Sequence, residues 1–121
     1  MKKVLLISLS MLILTSPGAF AHTSLVNSNP APSAVLSKLP SKISISFDDQ
    51  LLTLGKTVIN HIVVTDPTGV VITSGVDVVK GAVLSDAFKM GQSSKGKYSV
   101  SYRVSAQDGH IVSGKFTFSV K

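Results

Sequence analysis

The feature that most constrains this chain is a strict two-residue alternation in its last quarter. Tyr98, Val100, Tyr102 and Val104 fall on one side of an extended backbone, and Lys97, Ser99, Ser101 and Arg103 fall on the other. The pattern returns in Phe116, Phe118 and Val120 against Lys115, Thr117 and Ser119. Successive side chains on a strand point to opposite faces, so each segment reads as a strand with one face in a core and one in water. Ile43, Ile45 and Phe47, interleaved with Ser44 and Ser46, read the same way. Residues 57–65 are rich in β-branched side chains and end at Asp66-Pro67-Thr68-Gly69, a turn signal that makes residues 70–73 a hairpin partner. Residues 22–28 alternate loosely up to Asn29-Pro30-Ala31-Pro32, where two prolines remove ladder donors. Further strands are expected over 76–79 and 82–88. No window beyond residue 21 carries a helical period, so the expectation is an antiparallel, Ig-like β-sandwich.

The first 21 residues follow a different logic. Lys2 and Lys3 precede an apolar run over residues 4–14, then Pro17-Gly18 and Ala19-Phe20-Ala21. Basic start, apolar centre, breaker and Ala-x-Ala make a secretory leader cleaved after Ala21. The apolar run is shorter than the roughly 20 residues needed to cross a bilayer. Residues 22–121 are then one domain of 100 residues, mature from His22. The sequence has no cysteine, so the leader is expected to leave no lipid anchor. Stability must come from packing and backbone ladders, with a bound metal as a further source.

Setting aside Lys2 and Lys3, ten basic residues face six aspartates, a formal charge of +4. The lysines are scattered singly and form no run that would track a phosphate backbone, so no nucleic-acid partner is expected.

Three histidines remain. Cleavage after Ala21 would make His22 the first residue, placing an α-amine and an imidazole on one residue. The amine has a reference pKa near 8, so a strong Lewis acid must displace its proton to bind. Asp108-Gly109-His110 lies between two strands. Residues two apart in an extended segment point the same way, and the intervening glycine eases a close approach. Taken alone, Asp-x-His is also a common turn former. Joined to His22 it supplies three nitrogens and a carboxylate oxygen, a set that suits one Cu(II) and that zinc would also accept. His61 reads as a strand residue facing solvent or hydrogen-bonded at a sheet surface. Asp66 reads as a turn residue, and Asp77 and Asp86 show no partner at useful spacing.

These segments resemble the CopC family of periplasmic copper-binding proteins. The similarity is carried by His22-Thr23-Ser24-Leu25-Val26-Asn27-Ser28-Asn29-Pro30-Ala31-Pro32, Ile45-Ser46-Phe47-Asp48-Asp49, the Gly96 to Ser105 segment, Asp108-Gly109-His110 and Ser113-Gly114-Lys115-Phe116-Thr117-Phe118. It implies a seven-strand Greek-key sandwich or barrel, cupredoxin-like in outline, with His22, Asp108 and His110 as the matching ligands. It also implies a periplasmic location and, as partners, an inner-membrane copper transporter or another periplasmic carrier. The expected form is a monomer.

Two departures from the family stand out. Relatives commonly carry a glutamate shortly after the strand that ends here in Phe47; this chain has Asp49, one methylene shorter, which reads more simply as a solvated turn residue. Some relatives carry a methionine-rich loop for Cu(I), whereas Met90 is the lone methionine beyond residue 21. The leading reading is a copper carrier or buffer and not an enzyme. A metal-free Ig-like interaction module and a small oxidative copper enzyme stand as alternatives.

Overall fold

The computed structural model describes residues 23–91 and 94–121. The expected leader and His22 lie outside the described residues. Eight strands form two four-stranded sheets. In chain order they are β1 (Leu25–Asn29), β2 (Val35–Leu36), β3 (Lys42–Phe47), β4 (Asn60–Thr65), β5 (Val78–Lys80), β6 (Val83–Ala87), β7 (Gly96–Ser105) and β8 (Ile111–Val120). One sheet runs β1-β3-β6-β5 and the other β2-β8-β7-β4. The all-β sandwich is as expected, but the described residues hold eight strands where seven were expected. The two-residue β2, paired parallel to β8, is too short to leave a period in sequence.

The alternation does what it promised. Ile43, Ile45, Phe47 and Leu84 from one sheet meet Ile62, Val64, Tyr98, Val100, Val104, Phe118 and Val120 from the other, all buried. Burying side chains of this size contributes about 1.5–3 kcal/mol each. Tyr98 and Phe118 are cross-strand partners in the β7–β8 register and stack with centroids 5.0 Å apart. Phe47 meets Tyr102 edge-on across the sandwich at 5.5 Å, a favoured aromatic geometry. Burial raises both tyrosine pKa values above the ordinary value; for Tyr98 the Asp66 carboxylate adds to it.

Two sequence expectations shift. The strand expected over 57–65 begins only at Asn60, because Ile59 is drawn aside to donate its N–H to Ser105 Oγ at 2.7 Å. The partner expected over 70–73 makes single bridges, Thr65 to Val71 and Thr73 to Phe88, instead of a ladder. β4 is an edge strand, and its outward N–H groups are covered by side chains. Ile62 donates to Asp77 Oδ1 at 3.0 Å and Val64 to Thr73 Oγ1 at 3.4 Å. Covering an edge in this way blocks pairing with another chain.

The sandwich has two distinct ends. At one, β3 finishes in Phe47, and the chain then links the sheets through Leu51 N–H to Gly81 O and Leu52 N–H to Ser105 O. At the other, β7 begins at Gly96, and the sheets are joined through Lys89 N–H to Ile72 O and Ile72 N–H to Val64 O.

Candidate metal centre

The Asp108–His110 loop lies at the Phe47 end, between β7 and β8. Ala106 donates its N–H to His110 O at 2.8 Å and Gly109 donates to Ala106 O at 3.0 Å, closing a tight turn. Gly109 has φ of 85°, in the left-handed region where a side chain would be strained. Asp108 uses both oxygens on one residue. Oδ1 accepts the His110 backbone N–H at 3.0 Å and Oδ2 lies 2.8 Å from His110 Nδ1. One carboxylate therefore holds both the backbone and the imidazole of His110. With Nδ1 engaged by the carboxylate, Nε2 is the ring nitrogen a metal would take, the arrangement in which a carboxylate orients a ligating histidine. Both side chains face solvent, 49 % exposed for Asp108 and 71 % for His110.

Two further segments converge on this end. Leu51 bridges Ala106, at the root of the Asp108 loop. Ser24 donates its N–H to Asp48 Oδ1 at 2.7 Å, and Asp48 donates its own N–H to Ser24 O at 2.9 Å. The Asp48–Asp49 turn is thus joined both to the start of the described chain and, through Leu51, to the root of the Asp108 loop. Sequence reading singled out Asp49, whose Oδ1 accepts the N–H of its own neighbour Gln50 at 2.7 Å. The carboxylate that engages the N-terminal segment is Asp48. The sequence alone offers only that the side chains of two adjacent residues after a strand turn opposite ways; which of the two meets Ser24 is set by the bend after Phe47.

Among the described residues no group of three or more His, Asp, Glu or Cys side chains is assembled for a metal. The structure brings Asp108 and His110 together; the expected third contributor, His22, lies outside the described residues.

The remaining histidine makes a second imidazole–carboxylate pair. His61 Nδ1 lies 2.6 Å from Asp77 Oδ2, hydrogen-bonded at a sheet surface as expected. The expectation that Asp77 and Asp86 lack partners is corrected, because their partners are distant in sequence. Asp77 meets His61, 16 residues away, and Asp86 accepts from Ser74 N–H, Ser74 Oγ and Gly75 N–H. Asp66 is a turn residue as expected. It accepts from Thr68 Oγ1, Thr68 N–H and Val70 N–H, and these bonds, the Thr68 hydroxyl foremost, hold its carboxyl below the usual aspartate value.

The CopC domain family matches residues 25–121. Among solved structures, the chain is similar to CopC from Methylosinus trichosporium OB3b, with 27 % identity and a TM-score of 0.68 over 83 % of this chain and 94 % of that one. It is also similar in fold to PcoC, a methionine-rich copper resistance protein from Escherichia coli, with 20 % identity and a TM-score of 0.64 over 84 % of this chain and 100 % of that one. No curated protein matches the chain. No helix among the described residues is long and apolar enough to cross a membrane.

Proposed function

The chain belongs to the CopC domain family, and from that premise we propose that it is a periplasmic Cu(II) carrier or buffer in copper homeostasis or resistance. One Cu(II) is held by the amine and imidazole of His22, exposed by cleavage after Ala21, together with His110 and Asp108. The observation that carries this reading is the Asp108–His110 turn, with Nδ1 committed to the carboxylate at 2.8 Å on the end where Asp48 holds Ser24. Ser24 is two residues from His22, and extended residues span at most about 3.3–3.6 Å each. The donor set of three nitrogens and one carboxylate oxygen fits Cu(II), which prefers tetragonal N and O ligation and heads the divalent affinity order. A soft Cu(I) site would want several thioethers, and the described chain holds only Met90.

A carrier is favoured over an oxidative enzyme because Asp108 and His110 stand on an exposed turn, whereas substrate sites are concave and bury most of their ligand. The copper is cargo, received from one partner and passed to another. An inner-membrane copper transporter or a second periplasmic carrier fits that role.

The test compares the chain beginning at His22 with one carrying a single extra residue before it. Extension turns the amine into an amide, so Cu(II) titration against a competing chelator should show far weaker binding for the extended chain. Equal affinities would overturn the clasp.

A further inference from the structure

Along its length the sandwich is electrically lopsided. At the Gly96 end Lys38, Lys42, Lys89, Lys95, Lys97 and Lys121 are all exposed. Lys42 opens β3 opposite Ala87, the last pair of that ladder. Lys38 and Lys89 line one concavity together with Phe88 and Met90. Lys95 and Lys97 flank Gly96, whose partner Val120 ends the β7–β8 hairpin. The two aspartates at this end add no exposed charge, since Asp66 is 6 % and Asp86 2 % exposed, and both are spent on backbone amides and hydroxyls. The Phe47 end differs. There Asp48, Asp49 and Asp108 are exposed beside Lys56 and Lys80. Met90, an apolar side chain 98 % exposed, shares that concavity with Lys38 and Lys89.

We propose that the Gly96 end docks on an anionic phospholipid membrane, with Met90 entering the headgroup layer and the lysines of that end facing lipid phosphates. An exposed apolar side chain on a strongly basic end is the arrangement of interfacial proteins, where buried apolar surface and attraction to anionic lipid act together. The chemistry of the basic residues favours lipid over an acidic protein. All six are lysines, with flexible apolar stems and point charges, and among the described residues none makes an ion pair. Such side chains spread over a diffuse anionic surface and lay their stems along it; a shaped carboxylate partner would be met by the fixed fork of arginine. The proposal shares no residue with the metal centre and does not rest on it. Docked this way, the molecule turns its Phe47 end away from the bilayer.

The test is flotation of the mature chain with vesicles of phosphatidylcholine, with and without phosphatidylglycerol. Binding is expected only with phosphatidylglycerol and should fall steeply with salt, as screening shortens the reach of exposed charges. Each lysine near such a surface is worth about fivefold in binding, so the triple variant K38E/K89E/K95E should lose at least about a hundredfold. The triple variant K56E/K80E/K115E changes net charge equally and should retain binding. The chain contains no tryptophan, so Met90→Trp gives a single reporter whose emission should shift to the blue on phosphatidylglycerol vesicles. Four results would each overturn the proposal: no binding to phosphatidylglycerol, equal loss in both triple variants, an unshifted Trp emission, or polyglutamate bound as tightly as the vesicles.

Discussion

The molecule holds two histidine–aspartate pairs with nearly the same bond and opposite uses. His61–Asp77 closes a gap of 16 residues, with Asp77 only 15 % exposed and its second oxygen spent on the Ile62 N–H. His110–Asp108 closes a gap of two residues on an open turn. In the first pair the carboxylate caps an edge strand and the imidazole is an accessory to that cap. In the second the carboxylate serves the imidazole, holding Nδ1 so that Nε2 is presented. The same two functional groups thus make a structural tie when the link is long-range and half-buried, and, in the proposed copper site, a ligand mount when it is local and wet.

The contrast breaks most sharply under His110→Ala, which deletes a proposed copper nitrogen. Cu(II) affinity should fall by more than the roughly 10–100-fold typical of losing an orienting partner. His61→Ala should leave it unchanged, and isothermal titration of both variants checks the pair. If His61→Ala proved the more damaging, the assignment of roles would be reversed. Next in size, Asp108→Ala should weaken Cu(II) at least about tenfold, with Asp49→Ala milder, since Asp49 Oδ1 is turned to its own neighbour. Asp49→Ala proving more damaging than both Asp108→Ala and His110→Ala would move the oxygen donor to the other turn.

On stability the order inverts. Asp77→Ala leaves the Ile62 N–H without its acceptor and should cost about 1–3 kcal/mol in urea unfolding of the metal-free protein. Asp108→Ala, on the surface, should stay within about 0.5 kcal/mol. Similar losses for both would mean that exposure does not separate the pairs.

The smallest effect comes from a carboxylate that meets no imidazole. Asp66 has its folded pKa lowered by the Thr68 hydroxyl and by backbone amides. Its contribution is therefore present above the unfolded aspartate value near 3.9 and is lost as pH falls through the lower folded value. Asp66→Asn should be less stable than the parent at neutral pH, and the gap should close on acidification below about pH 4. A gap that widened with acid would have the wrong sign.

How much of this was legible in the sequence depends on the range of the interaction. β7 and the second half of β8 were readable because residues 97–104 and 115–120, which pair in one ladder, each carry a clean alternation. Asp108 and His110 were readable because both groups sit in one short loop. The tie between His61 and Asp77 was not, since nothing local marks a carboxylate that reaches an edge strand from another loop. Nor was the role of Asp48: adjacent aspartates are chemically identical in sequence, and only the bend after Phe47 decides which one meets Ser24. Residues 70–73 have strand composition but no full ladder, because composition does not reveal whether a neighbouring strand has room for another partner.

Gly114 lies opposite Tyr102 in the β7–β8 register, and a Cβ there would fall inside the Tyr102 phenol, with Cε1 only 2.8 Å away. The ring rests in the hollow that the missing side chain leaves, and its other side meets Phe47, the residue before Asp48. A void on β8 is thereby transmitted through two aromatic rings to the turn that grips the start of the chain. Alanine at 114 would strike the Tyr102 hydroxyl and ring first, and through them push on that turn from across the sandwich. In a mutational survey Gly114 would score as though it were part of the proposed metal centre, although it has nothing with which to bind.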